Sequence, residues 1–299
     1  MIVEDLSRNE LGRLLKQEGL GLKIGQYRFL IRSALSDVVD HIYHLYPKGE
    51  LCPKGSFYDF PIEVRLVKGA RRWFKPLAEF VFNGNVPFTP LPKGQAPALM
   101  EWGINWCISA FVQTHLIFHA AVVEKNGRGL IMPGPSGSGK STLCTSLVAH
   151  GWRLLSDELT LIDLSTGKIA PFPKPISLKN ASISFIEQRW PEAIKGKECH
   201  ETTKGVVAHF KAPDDSMLAS DQAVSPYWVL FPKYSPDSPF VCSEVDKGAA
   251  FLDLIDNAFN YHVLHGDGFR ALEQCVQNVD LFDLEYSDVD DVIKWLDAQ

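Results

Sequence analysis

Apolar residues near the start of the chain recur at two different spacings, which predicts a mixture of short helices and strands. Helical spacing occurs over residues 9–17 and 35–45, and strand-like patterns occur over residues 22–31 and 62–67. No repeat is present in this run. We therefore predict an α+β unit over residues 1–92.

A turn-rich segment follows at residues 83–97, with prolines at positions 87, 90, 92 and 97. Proline fixes its own φ angle and lacks the N–H that the interior of a helix or strand needs, so such clusters interrupt regular structure. We predict a domain boundary here, followed by a second domain over residues 98–299.

The second domain begins with an apolar stretch over residues 98–112 that predicts a long helix. Two apolar strands follow, at 119–123 and 129–132, and the turn between them contains Asn126 and Gly127, a pair that favours a tight hairpin. Further strands are predicted at 152–156, 159–164, 206–210 and 279–284, and further helices at 248–259, 268–277 and 289–296, the last capped by Ser287 or Asp288.

Composition narrows the class of protein. The chain has 299 residues, 45% of them hydrophobic, which is enough apolar material for one large or two medium domains. The net charge is −6 and no Lys/Arg-rich run is present, so we expect no nucleic-acid surface. No segment resembles a signal peptide or a transmembrane span, and the six cysteines form no C-x-x-C pair, so we expect a cytoplasmic protein without a membrane contact, disulfide framework or zinc site.

The hairpin leads directly into a complete phosphate-binding loop, G-P-S-G-S-G-K-S at residues 134–141, followed by an apolar helix. Glycines let the backbone N–H groups surround a phosphate, and the positive end of the helix dipole adds to the attraction. Lys140 would contact the outer phosphates and the Ser141 hydroxyl would bind Mg²⁺. We predict that ATP and Mg²⁺ are bound here, by the loop residues Gly134, Pro135, Ser136, Gly137, Ser138, Gly139, Lys140, Ser141 and Thr142.

Two acids, Asp157 and Glu158, follow the strand predicted after the loop helix. In proteins with this loop, an acid at a strand end contacts the magnesium or accepts the proton of an attacking hydroxyl. An Asp-Glu pair also occurs at ordinary exposed turns. Its position downstream of a phosphate loop favours the functional interpretation.

The run from His119 to Leu161 resembles the core of bacterial HPr kinase/phosphorylase. That family has a histidine on the hairpin strand, then G-x-S-G-x-G-K-S, a helix, and R-L-I-x-D-D, and the spacings here match without a gap. The resemblance implies an α/β fold like the nucleotide domain of phosphoenolpyruvate carboxykinase, with a mixed sheet. It also implies that Asp157 is the general base, that Glu158 helps to bind the metal, and that His119 supports the site around the phosphates.

The chain departs from the HPr kinases at several positions. Glu158 stands in place of aspartate, Pro135 replaces an acidic residue, and the N-terminal unit and the HPr-docking segment have no counterpart. We therefore expect a divergent HPr-kinase-related protein, a group in which some members are similar to kinases of peptide-modification gene clusters. HPr kinases are hexamers, which leaves a homo-oligomer open here.

The expected function is an ATP-dependent kinase that phosphorylates a hydroxyl of a peptide, a protein or a small molecule, with residues 1–92 as the candidate for acceptor recognition. Two alternatives stay open: a nucleotide-gated binding module without phosphotransfer, and a phosphorylase or phosphatase acting on a phosphorylated partner. Four basic residues are candidates for phosphate or substrate contacts, with an ordinary solvated side chain as the alternative for each: Lys174, Lys179, Lys204 and Arg270. His209 alternates with apolar neighbours and is expected to be structural.

Overall fold

The computed structural model describes residues 1–69 and 74–299. The chain divides into two compact units, each assembled from separate segments. The first unit comprises Met1–Cys107, Lys174–Glu187 and Pro191–Leu218, and the second comprises Ile108–Pro173, Gln188–Trp190 and Ala219–Gln299. This division differs from the single boundary expected between residues 92 and 98, because much of the segment from 174 to 218 packs with the N-terminal residues.

Helices and strands alternate along both units. In the described residues the helices are α1 (Arg8–Gln17), α2 (Ser36–Leu45), α3 (Ala96–Phe111), α4 (Lys140–Ala149), α5 (Ala181–Arg189), α6 (Asp214–Leu218), α7 (Lys247–Asp256), α8 (Tyr261–Gln277) and α9 (Val289–Asp297). The strands are β1 (Leu20–Ile24), β2 (Tyr27–Ser33), β3 (Glu50–Leu51), β4 (Phe60–Leu66), β5 (Leu77–Phe82), β6 (Leu91–Pro92), β7 (His115–Lys125), β8 (Arg128–Pro133), β9 (Arg153–Ser156), β10 (Leu159–Asp163), β11 (Ile169–Ala170), β12 (Ile176–Lys179), β13 (Cys199–Thr202), β14 (Gly205–Phe210), β15 (Ser225–Tyr234), β16 (Val241–Glu244) and β17 (Asp280–Tyr286).

The first unit contains two sheets. The larger has the strand order β3-β1-β2-β4-β5-β6 and is antiparallel except for the parallel pair β2–β4, and the smaller has the antiparallel order β12-β14-β13. Helix α3 approaches the larger sheet closely, since a Cβ on Gly103 would lie 2.1 Å from the Phe80 ring. The single strand expected over residues 22–31 is wrong, because the chain turns at Gly25 and forms the hairpin β1–β2.

The second unit is built on a mixed sheet with the order β11-β10-β7-β8-β15-β17-β16, to which β9 adds by pairing with β7. Strands β8, β15 and β17 are parallel, and the remaining neighbours are antiparallel. The protein is thus mixed α/β with mixed sheets. The predicted hairpin is confirmed, and its turn has positive φ at both Asn126 (55°) and Gly127 (78°).

Apolar residues from one face of this sheet form a buried core with helices α7 and α8, to which Phe118, Ile131, Val229 and Leu272 contribute. Across residues 1–69 and 74–299, no helix is long and apolar enough to span a bilayer.

Candidate functional site

The loop between β8 and α4 adopts the geometry that its glycines allow. Gly134, Gly137 and Gly139 have φ angles of 142°, 91° and 96°, a region that other residues rarely adopt. Gly139 precedes α4, and a Cβ there would lie only 2.7 Å from the hydroxyl of Tyr286. The predicted strand, loop and helix are all present; all three glycines meet a backbone requirement, and Gly139 meets a packing requirement as well.

The loop surrounds the side chain of Lys140. This lysine is buried, with 6% of its surface exposed, and its Nζ donates hydrogen bonds to the carbonyl oxygens of Gly134 (2.5 Å) and Pro135 (2.7 Å). Its charge therefore lies at the start of α4, where the helix dipole also favours an anion. The arrangement fits the phosphate chain of a nucleotide, with Pro135, Ser136 and Gly137 exposed at the tip of the loop.

Strand β7 brings His119 close to both predicted motifs. On one side of β7, Ala120 pairs with Pro133, the residue before the loop. On its other side, Val122 pairs with Ser156 and His119 pairs with Leu159, so the acidic pair falls between these two registers. Because neighbouring strands lie about 4.8 Å apart, the loop and the acids are separated by roughly two strand spacings, with His119 between them.

The two acids lie at a bend between β9 and β10. The Ser156 hydroxyl accepts hydrogen bonds from the N–H groups of Glu158 (3.4 Å) and Leu159 (3.1 Å), which shapes the bend. Asp157 is buried, with 2% of its surface exposed, whereas Glu158 is half-buried. Burial raises the pKa of the Cys144 thiol on α4, and the charge of Asp157 raises it further, so this carboxylate acts electrostatically on the helix that follows the loop.

Asn257, just after α7, connects the loop to β7. Its Oδ1 accepts a hydrogen bond from the N–H of Gly134 (3.1 Å), and its backbone oxygen accepts one from the N–H of His119 (2.7 Å). Ala258 forms a bridge with Phe118, and the N–H of Phe259 donates to the carbonyl of Ile117 (2.8 Å). Strand β8 pairs with β7 only from Ala120 onward, and the chain after α7 bonds to the preceding residues of β7, 117–119.

The sequence pattern did not indicate a role for Asn257, because residues 248–259 were expected to form one helix. Helix α7 instead ends at Asp256, and the chain then turns at Asn257 and forms an isolated bridge with β7 at Ala258. Apart from Asn257 itself no local motif marks this change, since it depends on hydrogen bonds to a strand more than 130 positions earlier in the chain. The Asn257 side chain, which also donates to the carbonyl of Asp253 (2.8 Å), was the one local sign of a helix end.

A cavity of about 400 Å³ opens beside the loop. Its walls are His119, Pro135, Asp256, Asn257, Ala258 and Phe259. The rings of His119 and Phe259 are in contact, with their centroids 5.8 Å apart. The cavity thus adjoins both the second residue of the loop and His119, the histidine that pairs with the residue after the acidic pair.

The four candidate basic contacts lie in different surroundings. Arg270 is exposed on α8 in the second unit and forms an ion pair with Asp267. Lys179, half-buried, and Lys204, exposed near the Trp102 ring, belong to the first unit. Lys174 also belongs to the first unit, where its side chain is fully buried and its Nζ contacts the Glu101 carboxylate at 3.2 Å. The structure therefore brings none of these three lysines into the unit that contains the loop.

Glu101 is the centre of a buried polar cluster in the first unit. Besides Lys174, it receives hydrogen bonds from His41 Nε2 (2.8 Å) and from the Tyr46 hydroxyl (2.9 Å). Burial alone would raise the pKa of the Glu101 carboxyl, but the charge of Lys174 and the bond from His41 outweigh it and lower that pKa. His209 packs edge-on against His41, with ring centroids 5.2 Å apart, and is buried as expected for a structural residue.

The positions of the donor side chains decide whether the chain could hold a metal ion by itself. Within the described ranges, no three or more His, Cys, Asp or Glu side chains are grouped to hold a metal ion by themselves. A magnesium ion at the predicted donors, Ser141 and Glu158, would therefore need further ligands from nucleotide phosphates and water, as is usual for this ion.

Comparison with known proteins gives one family match. Residues 100–178 match the model of the family described as "ScmC: SynChlorMet cassette protein ScmC". The matched part, about a quarter of the chain, runs from α3 to β12 and includes His119, the loop and the acidic pair. No curated protein matches the chain.

Proposed function

We propose that this protein is an ATP-dependent phosphotransferase with an alcohol group as acceptor, and that its second unit is an HPr-kinase-like phosphate-loop core. One observation carries the proposal: the strand registers of β7 bring the loop, His119 and the Asp157-Glu158 bend within two strand spacings of one another. Phosphoryl transfer requires such an arrangement, because the terminal phosphate and the acceptor oxygen must be aligned while charge is neutralised.

Each residue then has a distinct task. The loop N–H groups and Lys140 bind the phosphates, and Ser141 and Glu158 bind Mg²⁺, which neutralises phosphate charge when it is present. Asp157 orients the acceptor hydroxyl and takes its proton as the new O–P bond forms and the bond to the leaving ADP breaks. His119, half-buried between the two motifs, contacts the phosphates from the side of β7.

The features of the fold that support this assignment are the mixed sheet and the loop between β8 and α4. The family match supports it only by covering the same residues, since the printed description names a cassette and no activity. Cytoplasmic location and a homo-oligomeric state remain part of this proposal.

The test is transfer of label from [γ-³²P]ATP with Mg²⁺ to extract proteins, peptides and metabolites. We expect label in an acceptor with the wild-type protein and none with Asp157→Asn. Lys140→Ala should lose about a hundredfold in rate, the scale of removing one preorganised charge. Asp280→Asn is the matched control, because this exposed acid begins β17 away from the loop and should retain full activity.

Two results would contradict the proposal. Lys140→Ala with wild-type transfer would show that the loop is not used. Tight Mg-ATP binding without transfer to any acceptor would instead favour the nucleotide-gated binding module, and release of phosphate from a labelled partner that depends on inorganic phosphate would favour a phosphorylase.

A further inference from the structure

The cavity beside the loop has an uneven charge distribution. Of the six residues that line it, Asp256 is the one acid, and none is lysine or arginine. Asp256 is also the last residue of α7, where the unpaired carbonyl groups create the negative end of a helix dipole. No basic residue lies in the last turn of α7 to offset this charge.

Within the part of the chain that the structure describes, the Asp256 carboxylate forms no ion pair and accepts no side-chain hydrogen bond. A carboxylate at the negative end of a helix repels a phosphate and attracts a cation. It is not part of a grouped set of metal donors in residues 1–69 and 74–299. The chemistry of this wall therefore favours an organic cation over a metal ion or a polyphosphate.

Phe259 forms a second wall suited to the same group. Half of its surface is exposed, although the residue is large and apolar, and its ring lines the cavity beside His119. The face of an aromatic ring attracts an ammonium or guanidinium group. A carboxylate and an aromatic ring thus line the same cavity, which at about 400 Å³ lies in the usual range for small-molecule pockets.

We propose that this cavity receives the phosphoryl acceptor and that the acceptor carries an ammonium or guanidinium group, which lies between the Asp256 carboxylate and the Phe259 ring. This inference rests on the proposed function. The anion-binding start of α4 and the cation-binding end of α7 then lie on the same edge of β7, joined by Asn257. The phosphate donor occupies the first and the positively charged acceptor the second.

The test uses the full chain and three small probes of similar shape: phenethylammonium, phenethyl alcohol and phenylacetate. Binding is followed by ligand-observed saturation-transfer NMR, and Mg-ATP affinity is measured in parallel by calorimetry. We expect saturable binding of phenethylammonium, weaker binding of the alcohol and none of phenylacetate. Asp256→Asn should weaken phenethylammonium about fivefold, the scale of one exposed charge pair, and Phe259→Leu about two- to fivefold.

Asp253→Asn is the matched control, since this acid lies one turn earlier on α7 and does not line the cavity. It should leave the binding of all three probes unchanged. Mg-ATP affinity should stay within about twofold of wild type in Asp256→Asn, because Asp256 is not among the residues proposed to bind the nucleotide.

Equal binding of the charged and neutral probes, or phenethylammonium binding that Asp256→Asn does not change, would overturn the proposal. A tenfold loss of Mg-ATP affinity in Phe259→Leu would also overturn it, by assigning the ring to the nucleotide base. Failure of the proposed function is a separate result: wild-type protein that binds no Mg-ATP would refute the kinase, while the probe titrations would still report on the cavity.

Discussion

A substitution of Lys174 distinguishes two interpretations of this residue, a phosphate contact and the buried partner of Glu101. The sequence predicts a candidate phosphate contact, whereas the structure buries the side chain completely and pairs it with Glu101, of which 1% is exposed. The change is Lys174→Met, which keeps an unbranched apolar stem of similar length and removes the charge. If the lysine contacts a phosphate, the substitution lowers activity and leaves stability unchanged. If it neutralises Glu101, the substitution destabilises the first unit.

The magnitude follows from the surroundings of Glu101. Breaking a buried ion pair by removing one partner typically costs about 3–5 kcal/mol, because the other charge is left uncompensated. Here the carboxylate retains hydrogen bonds from His41 at 2.8 Å and Tyr46 at 2.9 Å, so we expect the lower end, about 3 kcal/mol. Glu101→Gln removes the stranded charge, so the double variant should be more stable than the sum of the two single changes predicts, by about 1–2 kcal/mol.

The assay is urea unfolding combined with hydrogen exchange and mass spectrometry, because two compact units can unfold separately. Loss of protection should be confined to peptides of the first unit, including residues 96–107 and 174–179. Lys16→Met is the control, since this exposed lysine on α1 should change stability by less than about 0.5 kcal/mol. Wild-type stability of Lys174→Met would refute the buried-pair argument.

Three further changes test other parts of the structure. Burial lowers the pKa of His209 from 6.5 to about 3, so the unfolded chain takes up a proton first as the pH falls. Between pH 7 and 5 the wild-type protein should therefore lose about 2 kcal/mol more unfolding free energy than His209→Leu. Equal pH slopes in denaturant melts of the two proteins would contradict this. Asn257→Ala removes the bond to Gly134 and should weaken Mg-ATP about two- to tenfold by calorimetry, whereas Asn278→Ala, a similar helix-end amide on α8, should have no effect. Gly139→Ala should lower the melting temperature more than Gly137→Ala, since both have positive φ but only the first Cβ meets Tyr286; equal melting temperatures would refute the packing argument.

Local patterns predicted much of the second unit. The hairpin of β7 and β8, the loop and α4 were expected because glycine conformations, apolar runs and the Asn-Gly turn act over a few residues. The start of α9 was also foreseen, since the Asp288 side chain accepts a hydrogen bond from the N–H of Asp290 (2.9 Å). These signals depend on neighbours in sequence, and they need no knowledge of the rest of the fold.

Strand β15 was missed, although it lies between β8 and β17 in the middle of the sheet. Its sequence contains Pro226 and Pro232, and proline cannot donate to a strand ladder, so the pattern argued against a strand. The register shifts next to Pro226, which accommodates one of them. Placement of Lys174 failed for a related reason: only tertiary packing decides that residues 174–187 join the N-terminal segment.

The two sides of the candidate site differ in how far a sequence can reveal them. The phosphate side consists of consecutive residues, Gly134 to Thr142, whose conformation and charge are set locally, and it therefore has a motif. The cavity side forms when the chain after α7 pairs with residues 117–119 of β7. Only this pairing places Asp256 and Phe259 in the wall of one cavity. Under the proposed function, acceptor selectivity would change by substitution at the end of α7 while the loop stays the same, the arrangement expected where one phosphate donor serves different acceptors.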